Sequence, residues 1–329
     1  MTYLIKRSLE ISQVLFFIFV FLFLPFVSIA VFVYLLLYTS FWWVVLLYSV
    51  WLYYDWDLIT ESCRAWDWMR NHPFWDPLAN YFPMKLVKTA ELSPDKNYLL
   101  AWHPHGIVSL SAVINVCTNG TRFAEQFPGI NRYLATLDMH FKQPFRRELL
   151  SAFGLVGSSF KALLTVLSDV NKGKAVVLVV GGAEEALECH PNVFKLCLER
   201  RKGFIRLALE SGAYLVPVYS FGETSTFKQV WNPVGSRLRA FQTRFKTVVG
   251  LSPVAAYGTN IIPFVPGIVP FRTEVVSVVG TPIPVERTPN PTREQVDELH
   301  RLYKSKLSEL FEAHKSKYGV SEDSHLEFY

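Results

Sequence analysis

Between Glu10 and Asp55 the chain carries no charged residue, and this interval, Ile11 to Tyr54, constrains the fold more than any other stretch. One bilayer crossing takes about 20 helical residues at about 1.5 Å each, so two passes fit. Pro25 and the polar step Tyr38-Thr39-Ser40 are the available breaks. They predict a first helix near 14–37 and a second near 41–56, closed into a transmembrane hairpin. The second is short, so one span followed by an interfacial helix stays open. A cleaved signal peptide does not fit, because the apolar run is too long and no small-residue cleavage site follows a short core. Lys6 and Arg7 precede the run, and positive flanks stay cytosolic, so a hairpin returns the rest of the chain to the cytosol. Seven of the nine tryptophans lie between Trp42 and Trp75. An interfacial aromatic belt accounts for them, and for any single one core packing serves equally well.

Composition agrees with a chain that meets two solvents: 50% of residues are apolar and only 19% charged. A net charge of +5 suits an anionic membrane surface or an anionic cofactor, and no dense Lys/Arg run of the kind that coats nucleic acid is present. Cys63, Cys117, Cys189 and Cys197 show no paired framework, as expected of a reducing compartment. Three units are predicted: the hairpin (1–56), a membrane-proximal link rich in Trp and Pro (57–97), and an α/β domain (98–329).

Within that domain, Tyr98-Leu-Leu-Ala-Trp102 reads as a buried strand and Ile107 to Val116 as a helix. Ala175 to Val180 is a continuous apolar strand ending in Gly181-Gly182, and a helix from Phe160 to Val170 precedes it. Tyr214 to Tyr219 is a further strand, in which Pro217 implies irregularity or an edge. Residues 228–271 read as an insertion that covers the site or lies on lipid. Val275 to Val279 is the last strand, and Thr292 to Gln295 is a capping box opening an amphipathic helix (Val296, Leu299, Leu302, Leu307, Leu310, Phe311). Fully apolar strands alternating with helices predict a mainly parallel, covered sheet. Asn119-Gly120-Thr121 is a glycosylation sequon, and a cytosolic domain leaves it bare.

His103-Pro104-His105-Gly106 joins the first strand to its helix. In an extended H-P-H both imidazoles leave on the same side, and Gly106 permits the turn. Two imidazoles beside the N–H groups of a helix start could transfer a proton next to a developing anion. A hydrogen-bonded core histidine, or half of a metal site, is the plainer reading. No third metal ligand with suitable spacing accompanies the pair, so no metal is expected. Glu184 and Glu185 stand at another strand end, where carboxylates also serve simply as helix-start charges. Arg200, Arg201, Lys202 and Arg206 surround Gly203 at a helix start, a phosphate cradle or a solvated basic face. The chain has no G-x-S-x-G, no G-x-G-x-x-G and no Walker loop, which removes nucleophile-elbow hydrolases and the common nucleotide folds.

Taken together, these motifs resemble the type-2 diacylglycerol acyltransferase family, which includes monoacylglycerol and wax alcohol acyltransferases. The blocks in order are Tyr81-Phe82-Pro83, His103-Pro104-His105-Gly106, Pro144-Phe-Arg-Arg147-Glu148, Val180-Gly181-Gly182-Ala-Glu-Glu185, Arg201-Lys202-Gly203-Phe204 with Arg206, and Leu215-Val-Pro217 running into Phe221-Gly-Glu223. Phe21-Leu-Phe-Leu24 is similar to the family's neutral-lipid element, a match an apolar run makes easily. The resemblance implies a glycerolipid-acyltransferase-like α/β domain that moves a fatty acyl group from acyl-CoA, its co-substrate, to diacylglycerol. Monoacylglycerol or a fatty alcohol is the alternative acceptor, and no permanently bound cofactor is implied. It further implies a multi-pass protein of the endoplasmic reticulum membrane, with the lipid droplet as a second location. His105 would be the general base with His103 beside it, and Arg201, Lys202, Gly203 and Arg206 would hold CoA phosphates. Related glycerolipid enzymes use H-x-x-x-x-D, but Val108 and Leu110 occupy the places where that Asp would stand. Glu185 is therefore expected to orient the base. A non-catalytic lipid-droplet hairpin protein is the reading from another class.

Overall fold

The computed structural model describes residues 2–62, 64–168, 172–250, 252–260 and 267–329. Cys63, the expected helix end at Val170, and 261–266 of the expected insertion lie outside them.

Seven strands build the main sheet: β1 (Lys85–Lys88), β2 (Tyr98–His103), β3 (Asn131–Thr136), β4 (Leu155–Gly157), β5 (Lys174–Val179), β6 (Tyr214–Phe221) and β7 (Val276–Val279). Their order across the sheet is β1-β7-β6-β2-β5-β3-β4, and every pairing is parallel except β6 with β7. β2 lies at the centre because each of its residues is buried and its two faces serve different layers. Leu100 and Trp102 pack into one core with the helix Leu110–Cys117. Leu99 and Ala101 pack into the other, with helices Phe160–Ser168, Gly203–Ser211 and Arg293–His314.

Several expectations need correction. Pro217 sits in an interior strand, not at an edge. The ladder to β7 stops at Val218, and Pro217 takes part there only through its carbonyl, which accepts from Gly280 N at 2.9 Å. Its missing N–H is therefore not required on that side. The capping box at Thr292 and Gln295 is formed, but the buried face of its helix carries Tyr303, whereas Leu302 is exposed. The segment 57–97, expected to be an irregular surface link, contributes β1 to the sheet and Ile59, Trp75, Leu78, Tyr81 and Phe82 to the core. Asn119 is buried, with its amide held by Glu125 and by Ala124 N.

The N-terminal helix begins at Thr2, a dozen residues earlier than expected, and continues through a π-helical turn at Phe19–Phe23 to Tyr38. Its charged start is accommodated by the domain: Glu10 is buried, 3.1 Å from Arg7 and 3.5 Å from Arg272, and Arg7 lies over the Tyr81 ring. The 36 residues Tyr3–Tyr38 are long and apolar enough to cross a membrane. The next helix, Trp42–Tyr54, has 13 residues. At about 1.5 Å per residue it falls well short of a hydrocarbon core of about 30 Å. The described residues thus show one helix long enough for a full crossing, and they do not show a hairpin of two. Asp55, where the second helix ends, is buried and bonds Arg64 at 2.7 Å and the buried Arg147 at 2.9 Å. Tyr48 stacks on Phe145 and donates to Glu148. Both ends of the apolar pair are tied to the same domain.

Candidate active site

A cavity of about 910 Å³ opens where β2, β3, β4 and β5 end, the edge at which α/β sheets place their sites. His105 lines it and His103 does not. The expectation that both imidazoles leave together therefore fails. His103 is the last residue of β2, facing the same layer as Leu99 and Ala101. It is fully buried, with Nε2 2.9 Å from the Tyr303 hydroxyl, which itself donates to the Ala101 carbonyl. The peptide between His103 and Pro104 is cis. Burial holds the His103 pKa down at about 3, so this ring is a neutral packing element.

His105 is half-buried at the cavity wall. Its Nδ1 lies 3.1 Å from the Gly106 carbonyl. A carbonyl can only accept, so Nδ1 carries the proton and Nε2 keeps the basic lone pair. Burial lowers the pKa of this ring, and the Gly106 bond opposes that in part. The base form is accordingly the resting form near neutrality.

The two buried carboxylates grip backbone, not imidazole. Glu185 was expected to orient the ring; instead its Oε2 accepts from His105 N at 2.6 Å and its Oε1 from Cys197 N at 3.0 Å. Gly181 is what allows this approach, since a Cβ there would stand 2.2 Å from the carboxylate. Glu223 accepts from Leu110 N at 2.9 Å and Ser111 N at 2.8 Å. The helix after the motif starts at Leu110, not Ile107, and Glu223 occupies its first N–H groups. They are not open to an oxyanion. Burial raises both carboxyls to about 7, against the pull of their backbone donors. Gly106, at φ +63°, leaves no room for a Cβ beside Glu223.

The rest of the cavity divides by polarity. Leu134, Leu155, Leu163 and Leu178 line an apolar part, and Phe21 reaches in from the π-helical turn of the N-terminal helix. Arg200, Arg201, Lys202 and Lys246 stand at a cationic end, with Gly182 and Gly203 in its wall. Glu184 points there, pairing with Arg200, with Arg201 at 3.6 Å and with Lys246 at 3.8 Å. Lys202 bonds Asp297 at 2.6 Å and also lines a smaller adjacent hollow of about 420 Å³. Arg206 lines only that hollow and pairs with Glu210. The remaining motif residues are structural supports. Tyr81 donates to the Pro270 carbonyl at 2.7 Å, Phe82 is core, Pro83 makes the turn into β1, and Arg147 and Glu148 anchor the second apolar helix.

The diacylglycerol acyltransferase family matches residues 34–329, which include every cavity residue named above except Phe21. The chain belongs to that family. It is 42% identical over 324 residues to a 2-acylglycerol O-acyltransferase 1 from Bos taurus, covering 98% of this chain and 96% of the relative. It is 41% identical over 326 residues to a diacylglycerol O-acyltransferase 2-like protein 6 from Homo sapiens, covering 98% and 97%. A Homo sapiens acyl-CoA wax alcohol acyltransferase 1 is 42% identical over 297 residues, covering 90% of each chain. In this member of the family, the sequence pattern did not point to Lys246, which comes from the insertion, or to Tyr303, which was not among the residues of the expected apolar stripe. Phe21 was visible as the first residue of the run that is similar to the family's neutral-lipid element.

Proposed function

We propose that this acyltransferase moves a fatty acyl group from acyl-CoA to the hydroxyl of diacylglycerol, with His105 as general base. The observation that carries the reading is one cavity holding a neutral imidazole between an apolar wall and a cationic end. A lipid alcohol reaching the apolar part presents its hydroxyl to Nε2, which takes the proton as oxygen attacks the thioester carbon. The C–O bond forms, the C–S bond breaks, and the thiolate leaves without a strong acid because a thiol ionises near pH 8.5, by the ordinary value of about that size. Arg201 and Lys202, with Arg200 and the turn at Gly203, hold the CoA phosphates; Arg206 extends this surface into the adjacent hollow. Fixing both reactants at one imidazole supplies the entropic part of the acceleration.

A second reading, 2-monoacylglycerol as acceptor, is favoured by the 42% identity to the 2-acylglycerol enzyme along almost the whole chain. Ion pairs that fasten Glu10 and Asp55 to one domain support a topology in which the apolar pair enters and leaves the endoplasmic reticulum membrane on its cytosolic side. Labelled acyl-CoA incubated with the reconstituted chain and diacylglycerol, 2-monoacylglycerol or a long-chain alcohol tests the reading. Triacylglycerol as the main product supports it, diacylglycerol as the main product selects the second acceptor, and no ester from any acceptor refutes acyl transfer.

A further inference from the structure

The helix Arg237–Val249 turns polar side chains toward the protein and leaves aromatic ones exposed. Arg239, Gln242 and Lys246 recur at helical spacing and face the domain. Arg239 donates to the Leu187 carbonyl at 2.9 Å and pairs with Glu188, while Gln242 is fully buried between Asn232 and the Pro253 carbonyl. Lys246 faces Glu184 in the cavity wall. A flanking stripe carries Phe241, 61% exposed, and Phe245, 37% exposed, with Trp231 (72%) and Val234 (86%) just before the helix. A helix facing water normally puts its apolar stripe against the protein; here polar side chains take that place and Phe241 is left exposed. Its outward basic residues, Arg237 and Arg244, flank the aromatic stripe, and nothing acidic lies within the helix.

We propose that Arg237–Val249 is a second membrane-contacting element, which lays Phe241 and Phe245 into the headgroup region of an anionic bilayer. Two observations select lipid over a protein partner. The charge is complementary, since aromatic residues flanked by arginines suit an interface bearing anionic headgroups. The exposed apolar surface also extends beyond the helix itself, through Val230, Trp231 and Val234. The proposal involves no step of acyl transfer.

The test uses the full chain with Cys63→Ser and Phe241→Cys, an environment-sensitive fluorophore being attached at 241; Cys117, Cys189 and Cys197 are buried. After reconstitution in phosphatidylcholine vesicles containing phosphatidylserine, the emission should shift to the blue and be quenched by lipids carrying a spin label near the headgroup. Omitting phosphatidylserine, or adding Arg237→Glu with Arg244→Glu, should reduce both effects. The same label at Lys306, on the exposed face of the C-terminal helix, should show emission typical of water. Water-like emission at 241 in every vesicle overturns the proposal. So does a blue shift without lipid quenching that accompanies cross-linking between 241 of two copies, which would make the face a dimer contact.

Discussion

The floor and the mouth of the cavity are both built from charged residues, but they use charge differently. At the floor, Glu185 and Glu223 are buried and each oxygen has a backbone N–H to accept. At the mouth, Glu184 is shared among Arg200, Arg201 and Lys246, and Lys202 pairs with Asp297, all part-exposed. A buried carboxylate that leaves its donor unmatched forfeits the donor's whole desolvation cost, whereas exposed ion pairs exchange readily with solvent or with an arriving anion. The floor fixes the loop that carries His105. The mouth can trade its internal partner for a phosphate.

Substitutions should separate the two regions. The largest effect is expected at His105: alanine there should lower turnover about 10²–10⁴-fold, the usual contribution of a general base, while the protein still accumulates in membranes. His103→Ala should instead lower thermal stability more than turnover, and a dead but well-folded His103→Ala with an active His105→Ala would reverse the roles. Glu185→Gln comes next, because an amide presents a donor to a backbone N–H that needs an acceptor. A misplaced buried donor costs roughly 1–3 kcal/mol, or about 5- to 150-fold in turnover if the loop shifts with it. Retained turnover at Glu185→Gln would break the contrast between floor and mouth. A pH profile sharpens it. Burial lowers the His105 pKa, so the basic form persists below the ordinary value of 6.5, and the acid limb of kcat/KM should fall below that pH. A limb near 7 would instead report the buried carboxyls of Glu185 and Glu223, which burial raises to about that value. The smallest effect is expected at Glu184→Gln, where losing exposed pairs of about 1 kcal/mol should change KM for acyl-CoA by no more than about fivefold and leave kcat alone.

What the sequence disclosed and what it concealed divide along the same line between local and distant contacts. The strand at Tyr98, the Gly-Gly end of β5 and the capping box at Thr292 are written in consecutive residues, and each forms as its local pattern indicates. His105 could be singled out because it stands just after an apolar strand in a motif that resembles the family's. The purpose of Glu223 could not, since its targets Leu110 and Ser111 lie more than a hundred residues away. Glu185 was found by its position at a strand end and misjudged in its target, because periodicity predicts a side chain's face and not which donor it will meet. The expected hairpin is met only in part for a related reason: lack of charge measures what a segment tolerates, and Asp55, held by Arg147, stands where the second helix ends.

One long-range contact carries a consequence for synthesis. The backbone at Leu198 and Glu199, immediately before the cationic end, donates to the carbonyl of Tyr329, and His103 waits on Tyr303. Both partners are translated later than the strand that ends in His103. Until residues 303 and 329 emerge, the His103 ring and the backbone before the cationic end lack these contacts, so a nascent chain holds this edge of the cavity unfinished.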